Sequence, residues 1–451
     1  MRIKLDIPLT ITEAAMAMQA SFYAPKALIT HICTDSRECE MGDLFFALKG
    51  KSQSGEEYVY DTISKGAYAV SKKKLTGTLT VKSPEQALLS LAKYYKNKLA
   101  NLKYTVAITG SVGKTTTKEF LRILTESYYK AHATKGNENN TIGVPLTILS
   151  AKRDTELLIL EMGMNSFREL SALSKCATPD IAIITNIGTA HIGAFGSREN
   201  IAKAKLEIKD GMEQKELILP YGEELLMNEE GVFFSAKDQR ADVYIIYNEG
   251  NVNIYDGSIR YSHPLANFGN HNFECLGAAY AACRKLKLSP KDIVGRFSKI
   301  CNENIRQSLI YLDDFCILSD FYNSSYESVK AALEYLSELD GYTCKSALLG
   351  SILELGNMRQ TIYDKIGKLC AKKELKNLYL YGDDTLDIKA SAIKNGMDEK
   401  KIFLYPRDQT EDIASAVYNN RAAGEIVLFK ASNAVRLGEV LEKLKKLHNN
   451  N

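Results

Sequence analysis

Short apolar runs alternate along the chain with longer stretches whose apolar positions recur at helical spacing. In the middle of the sequence, YTVAITG reads as a buried strand, TKEFLRILTESYY as the helix after it, ELLILEMG as a second strand, FRELSALSK as a helix and DIAIITNIG as a third strand. Apolar strands separated by helices predict a parallel sheet covered on both faces. Earlier, DLFFALKG predicts a strand and PEQALLSLAKYYKNKL a helix, which together indicate a small α/β unit. After HPLANFGNHN, the Ala-rich ECLGAAYAACRKL predicts a helix packed on the central sheet. Further on, CILSDFY, KSALLGSI, NLYLYGD, KKIFLYP and EIVLFKAS predict strands interleaved with helices, as in a smaller Rossmann-like domain. The predicted fold class is therefore α/β with three domains, at 1–101, 102–305 and 306–451.

Composition narrows the partners. The chain has 451 residues, 45% of them hydrophobic, enough for several buried cores. Lys and Arg number 58 against 55 acidic residues, and a net charge of +3 over this length points to neither nucleic acid nor membrane. Nine cysteines without a CxxC pair predict reduced, buried thiols. Lys4 and Asp6 stand where a signal peptide needs an apolar core, and no run approaches membrane-spanning length, so a cytoplasmic location is expected.

The strand YTVAIT runs into GSVGKTTTKEF, placing Gly110, Ser111, Gly113, Lys114, Thr115 and Thr116 between a predicted strand and a predicted helix. A phosphate requires this setting. Gly110 and Gly113 let backbone N–H groups approach phosphate oxygens, the helix N-terminus adds partial positive charge, and Lys114 adds a full one. The Thr115 hydroxyl can hold Mg2+. The usual nucleotide loop has a glycine where this chain has Ile108, which leaves the shorter TGxxGKTT form. The central sheet is thus predicted to be a phosphate-loop ATPase sheet, and the strand-loop-helix context disfavours a chance GKT on a surface helix.

Glu161 ends the strand ELLILE, where doubly wound sheets place ligand-binding groups, and a carboxylate there can coordinate Mg2+. His191 lies beyond the next strand, in the Gly-rich TAHIGAFGS, and taken alone is equally well a structural loop histidine. The helix ENIAKAKLEIKDGM presents Lys203, Lys205 and Lys209, by default a solvated basic face, and spacing does not choose among them.

These pieces occur in the order found in Mur ligases, and several resemble the branch of that family that adds D-alanyl-D-alanine. TGSVGKTTTKE resembles the family's ATP loop, GNENNTIGVP its Asn-rich strip, and LEMGMN its Glu-Gly-Ala-Asn motif with Met164 in place of alanine. TNIGTAHIGAFGSRENIAKAKLEI is a long match, and TDSRECEMGDLFFALKG resembles the domain that holds the uridine nucleotide. The resemblance implies that Lys114 and Thr115 hold ATP phosphates and Mg2+, that Glu161 and His191 bind a pair of metal ions, and that Lys205 is the family's carbamylated lysine. It further implies that Asn137 and Asn140 line the phosphate and peptide-carboxylate site, and that His271 and Asn272 sit near the purine. Arg306 and Asp320 would meet the nucleotide as the C-terminal domain closes, while Ser36, Arg37 and Ser432 would contact substrate.

Departures concentrate late in the chain. The family's DDxYNANPxS is SDFYNSSYES, its GDMxELG is GSILELG, and its KGSR is Lys430-Ala431-Ser432-Asn433. Cys275 replaces the second Asn of GxHNxxN, and Ser54-Gly55 replaces Asp-Gly. The implied activity is ATP-dependent ligation of D-alanyl-D-alanine to UDP-N-acetylmuramoyl-tripeptide through an acyl phosphate, in peptidoglycan precursor synthesis, by a monomer with small-molecule substrates. Two other readings stand beside it: a paralogous ligase joining a different amine to a different carboxylate, and a catalytically silent nucleotide-binding scaffold.

Overall fold

The computed structural model describes residues 1–22, 27–50, 53–267, 269–300 and 308–449. It contains three sheets, of six, nine and six strands, in chain order. The predicted α/β class and three-part architecture are observed. The expected boundary at 305/306, and Arg306 with it, lies outside the described residues.

In the central sheet the strands Leu157–Glu161, Tyr104–Thr109, Ile181–Ile184 and Glu216–Pro220 lie side by side and parallel. They are almost wholly buried because helices cover both faces, which is why their sequences read as continuous apolar runs rather than alternating ones. On one face, Phe120, Leu121 and Leu124 of the helix Lys114–Thr125 share a core with Leu276, Ala279 and Tyr280 of the helix Asn270–Lys285. On the other lie the helices Gly143–Leu149 and Glu169–Ala177, together with Pro84–Asn97 from the first unit. From Tyr104–Thr109 the chain runs to the edge strand Ala131–Ala133, returns to the neighbouring Leu157–Glu161 and then crosses to Ile181–Ile184 on the other side, so strand order reverses there. Ligands bind at such a reversal, beyond the strand carboxyl ends.

A feature absent from the sequence reading extends this sheet. Strands Val243–Asn248, Asn251–Asp256 and Ile259–Pro264 form an antiparallel meander at its edge. Its first turn places Glu249 and Gly250 at φ of 47° and 79°, the positive pair that a two-residue hairpin requires. Helix starts also shift. The Ala-rich helix begins at Asn270, before the predicted ECLG, so its first turn carries His271 and Asn272. The third sheet is parallel except for its edge strand Ser308–Leu312. Among the described residues the cysteines are free thiols, buried except for Cys344, and no helix is long and apolar enough to cross a membrane.

Candidate active site

At the point of strand reversal, Tyr104–Thr109 ends in Gly110 and the helix begins at Lys114. Gly110 has φ 149°, and a Cβ there would overlap the hydroxyl of Thr185 on the adjoining strand end, so only glycine fits. Gly113, at φ 85°, caps the helix, and a Cβ would come within 2.7 Å of Cys275 Sγ. Asn186, which the sequence reading did not single out, shapes the loop. Its Oδ1 accepts the N–H groups of Ser111 and Val112 at 3.1 and 3.0 Å, and its amide donates to the Val112 carbonyl. The Ser111 hydroxyl accepts the Gly188 N–H at 2.9 Å, and Lys114 Nζ folds back to the Gly110 carbonyl at 2.8 Å. These bonds fix the shape of the loop, with the N-terminus of a twelve-residue helix beneath it.

At its foot the Thr115 hydroxyl donates to Glu161 Oε2 at 2.7 Å. Glu161 is 1% exposed, and its other oxygen accepts from Asn139 at 2.8 Å. Within the Asn strip, then, Asn139 reaches the carboxylate, a role the sequence reading did not assign. Asn140 Oδ1 accepts from Ile142 and Gly143 N–H at the start of the next helix, and the Asn137 carbonyl accepts from Asn139 N–H. A hydroxyl and a carboxylate in contact beside a phosphate loop form the oxygen-rich donor set that suits Mg2+.

Lys205 separates from its neighbours. Lys209 pairs with Glu229 at 2.5 Å, whereas Lys205, in the helix Arg198–Leu206, is buried and no carboxylate pairs with it among the described residues. Burial, reinforced by the charge of Lys114, pushes its amine well below the usual lysine pKa. Burial thus favours the uncharged form of this amine, the form that is nucleophilic.

The His191 loop is where the third unit docks. His191, at φ 63°, precedes the short helix Ile192–Phe195, and its Nδ1 lies 2.5 Å from Glu354 Oε2. The His191 ring holds the Glu354 carboxyl below the usual carboxylate range. Gly193 N–H donates to the Glu354 carbonyl at 3.0 Å, and Thr189 Oγ1 donates to Glu327 Oε2 at 3.0 Å. Nearby, the His271 ring stands edge-on to Tyr335, 6.3 Å between centroids, and Tyr335 donates to the Asn267 carbonyl. Thus the His191 loop and the first turn of the Asn270–Lys285 helix both border the third unit.

The altered C-terminal motifs keep their local physics. Ser325 and Tyr326 take the N-cap and first helical position of Tyr326–Glu338, where the family's Asn-Pro would sit, and the Ser325 hydroxyl accepts the Ser328 N–H. Ser351, replacing an Asp, donates to Asp384, so a carboxylate is still present at that strand end. Buried Lys430 lies 3.2 Å from Asp320 Oδ1 and donates to the Asn323 carbonyl at 2.5 Å. The Ser432 hydroxyl accepts the Leu353 N–H, tying the last motif to the loop that carries Glu354. Ser36 and Arg37 sit on the first unit: Arg37, 87% exposed, grips Asp35 and lowers its pKa, and the Ser36 carbonyl accepts from Lys65.

Comparison with known proteins agrees with this geometry. Residues 108–283 match the Mur ligase middle domain and 304–433 the Mur ligase glutamate ligase domain. The chain is 31% identical to the UDP-N-acetylmuramoyl-tripeptide–D-alanyl-D-alanine ligase of Bacillus subtilis, covering 96% of this chain and 97% of that protein. The ligase of that name from Synechocystis is also 31% identical, with 92% of each covered. A crystal structure of MurF from Acinetobacter baumannii superposes with a TM-score of 0.87 at 26% identity, covering 98% of this chain and 100% of that one. MurF from Thermotoga maritima, solved in complex with ADP, superposes at 0.82 with 28% identity, covering 93% and 98%. Similarity of this extent, over phosphate loop, metal-type carboxylate and docking loops alike, places the chain in the Mur ligase family.

Proposed function

We propose that the chain is an ATP-dependent ligase that joins D-alanyl-D-alanine to UDP-N-acetylmuramoyl-tripeptide, forming ADP and phosphate, in cytoplasmic peptidoglycan precursor synthesis. The observation that carries this reading is the Thr115–Glu161 contact at the foot of the phosphate loop, in a chain whose relatives over nearly their whole length are named for this ligation. The first unit, 1–101, takes the uridine-linked acceptor through Ser36 and Arg37; 102–305 takes ATP; and 306–451 brings the amine, with Ser432 beside it.

A carboxylate and an amine do not condense unaided at neutral pH. The acceptor carboxylate attacks the ATP γ-phosphoryl, the bond to ADP breaks, and the acyl phosphate forms. The amine then attacks the activated carbonyl and phosphate leaves, with Lys114 and the loop of Gly110, Ser111, Gly113, Thr115 and Thr116 holding the developing charge. His271 and Asn272 border the purine, Asp320 the nucleotide, and Asn137 and Asn140 the acceptor. Thr115, Glu161, His191 and a carbamate on Lys205 would hold two Mg2+ ions, which would supply charge neutralisation to the phosphoryl transfer. Docking of the third unit against the His191 loop excludes water that would hydrolyse the acyl phosphate. The chain works as a monomer.

The test is a mass spectrum of the product made by purified protein from the tripeptide precursor, MgATP and a mixture of dipeptides. The expected product is the precursor plus D-alanyl-D-alanine less one water. A product carrying another amine would favour the paralogous reading, and no ADP formation with any amine would favour the silent scaffold.

A further inference from the structure

The first sheet gathers four metal-binding side chains on one face, apart from the phosphate site. Strand Leu28–Cys33 pairs in parallel with Leu44–Phe46, Ile32 opposite Leu44 and Cys33 opposite Phe45. One step back in this register His31 lies beside Asp43, and strand alternation puts His31 and Cys33 on the same side. The intervening loop returns Cys39 over that face, into a buried cluster with Cys33 and Phe45. As a result Cys33 Sγ, Cys39 Sγ and an Asp43 oxygen lie within 4.8 Å of one another, and His31 Nδ1 is 3.8 Å from Asp43 Oδ1. The two thiols and Asp43 are 0, 5 and 1% exposed.

Aliphatic residues would fill this space without polar atoms. Instead the fold buries a carboxylate against two thiols and steadies it with Arg2, whose Nε meets Asp43 Oδ2 at 2.8 Å and whose other nitrogen meets Oδ1 at 3.1 Å. The Glu40 N–H adds a bond to Oδ2, and Oδ1 keeps acceptor capacity.

We propose that Cys33, Cys39, Asp43 and His31 form a structural Zn2+ site. A tetrahedral ion with Zn–S bonds of about 2.3 Å sets its sulfur ligands about 3.8 Å apart, so Cys33, Cys39 and Asp43, already within 4.8 Å of one another, close by shifts of about 1 Å, and His31, whose Nδ1 now meets Thr30 Oγ1 at 3.0 Å, turns in as the fourth ligand. Two thiolates and a carboxylate around Zn2+ leave one negative charge, which the Arg2 guanidinium cancels. Binding releases the two thiol protons to solvent. His31, 25% exposed, leaves the ion a way in. The ion would clamp both ends of the loop 34–38, which carries Ser36 and Arg37, and so stiffen the surface assigned to the uridine-linked substrate.

The test uses the full chain purified under reducing conditions. Elemental analysis should find about one Zn2+ per chain, and replacement by Co2+ should give the near-ultraviolet thiolate charge-transfer band and visible bands of a tetrahedral site. C33S and C39S should lose both signals, and C176S, at a buried cysteine elsewhere, should keep them. H31Q, at a partly exposed position that spares the core, should weaken Zn2+ affinity about tenfold or more, so the proposal stays testable even where a cysteine variant unfolds. A reduced, folded chain that takes up neither metal would overturn the site. So would signals that survive C33S, or a Cys33–Cys39 disulfide in protein isolated without reductant.

Discussion

Replacing Glu354 distinguishes two roles for its contact with His191. The pair is 2.5 Å apart with side chains 26% and 59% exposed. As a docking contact in that setting it contributes about 0.2–1 kcal/mol, which is about 1.4- to 5-fold in the population of the docked arrangement. If the carboxylate also holds the Nδ1–H tautomer, so that Nε2 presents its lone pair toward the phosphate site, its removal costs about 10- to 100-fold in metal affinity. The two roles therefore differ in magnitude as well as in kind. The assay is a Mg2+ titration of ADP formation at saturating substrates, for the parent, E354A and E354Q. The orientation role predicts that half-saturating Mg2+ rises about tenfold or more in E354A, with kcat at saturating Mg2+ falling less. E354Q, which keeps an acceptor oxygen without the charge, should fall between. A rise under about fivefold, equal in both variants, would refute orientation and leave docking alone.

Lys205→Ala should abolish turnover, and formate or acetate should partly restore it; stripping CO2 from the parent should lower activity reversibly, since burial keeps the amine below the usual lysine pKa and hence reactive. Gly193→Ala would place a Cβ 2.6 Å from the Glu354 carbonyl and 2.8 Å from Gly356 N. It should lower kcat about tenfold or more by keeping the third unit from docking, while calorimetry finds the melting temperature nearly unchanged. Glu274, in the helix that carries His271, has its carboxyl pushed by burial from 4.5 up to about 7. A raised folded-state pKa means its contribution to stability is fully present below pH 4.5 and lost as pH rises through about 7. Melting temperatures of Glu274→Gln should accordingly gain on the parent as pH increases across that window, and parallel curves would contradict the shift.

The central fold was readable because a parallel sheet buried on both faces needs continuous apolar strands, and YTVAITG, ELLILEMG and DIAIITNIG have little other use. The edge meander was missed because its strands are half buried, although the positive-φ turn at Glu249-Gly250 left a trace in NEGN. The placing of Lys114, Thr115 and Glu161 at one edge of the sheet was legible because strand ends fix where they must lie. Asn139 and Asn186 were not, because their work depends on which neighbouring loop an amide side chain faces, and that is settled by packing rather than spacing. For the same reason spacing left Lys203, Lys205 and Lys209 level, and in the structure burial sets Lys205 apart. The third-unit departures looked more damaging in sequence than in structure: Ser325 still caps its helix, and Ser351 still meets a carboxylate, now from Asp384.

In the proposed reaction the acceptor carboxylate is phosphorylated before the amine attacks it. The direct measurement labels that carboxylate with heavy oxygen and follows the label by mass spectrometry through one turnover with MgATP and D-alanyl-D-alanine. The account predicts one labelled oxygen in the released phosphate and the other in the new amide. Phosphate free of label, alongside an amide product, would contradict it.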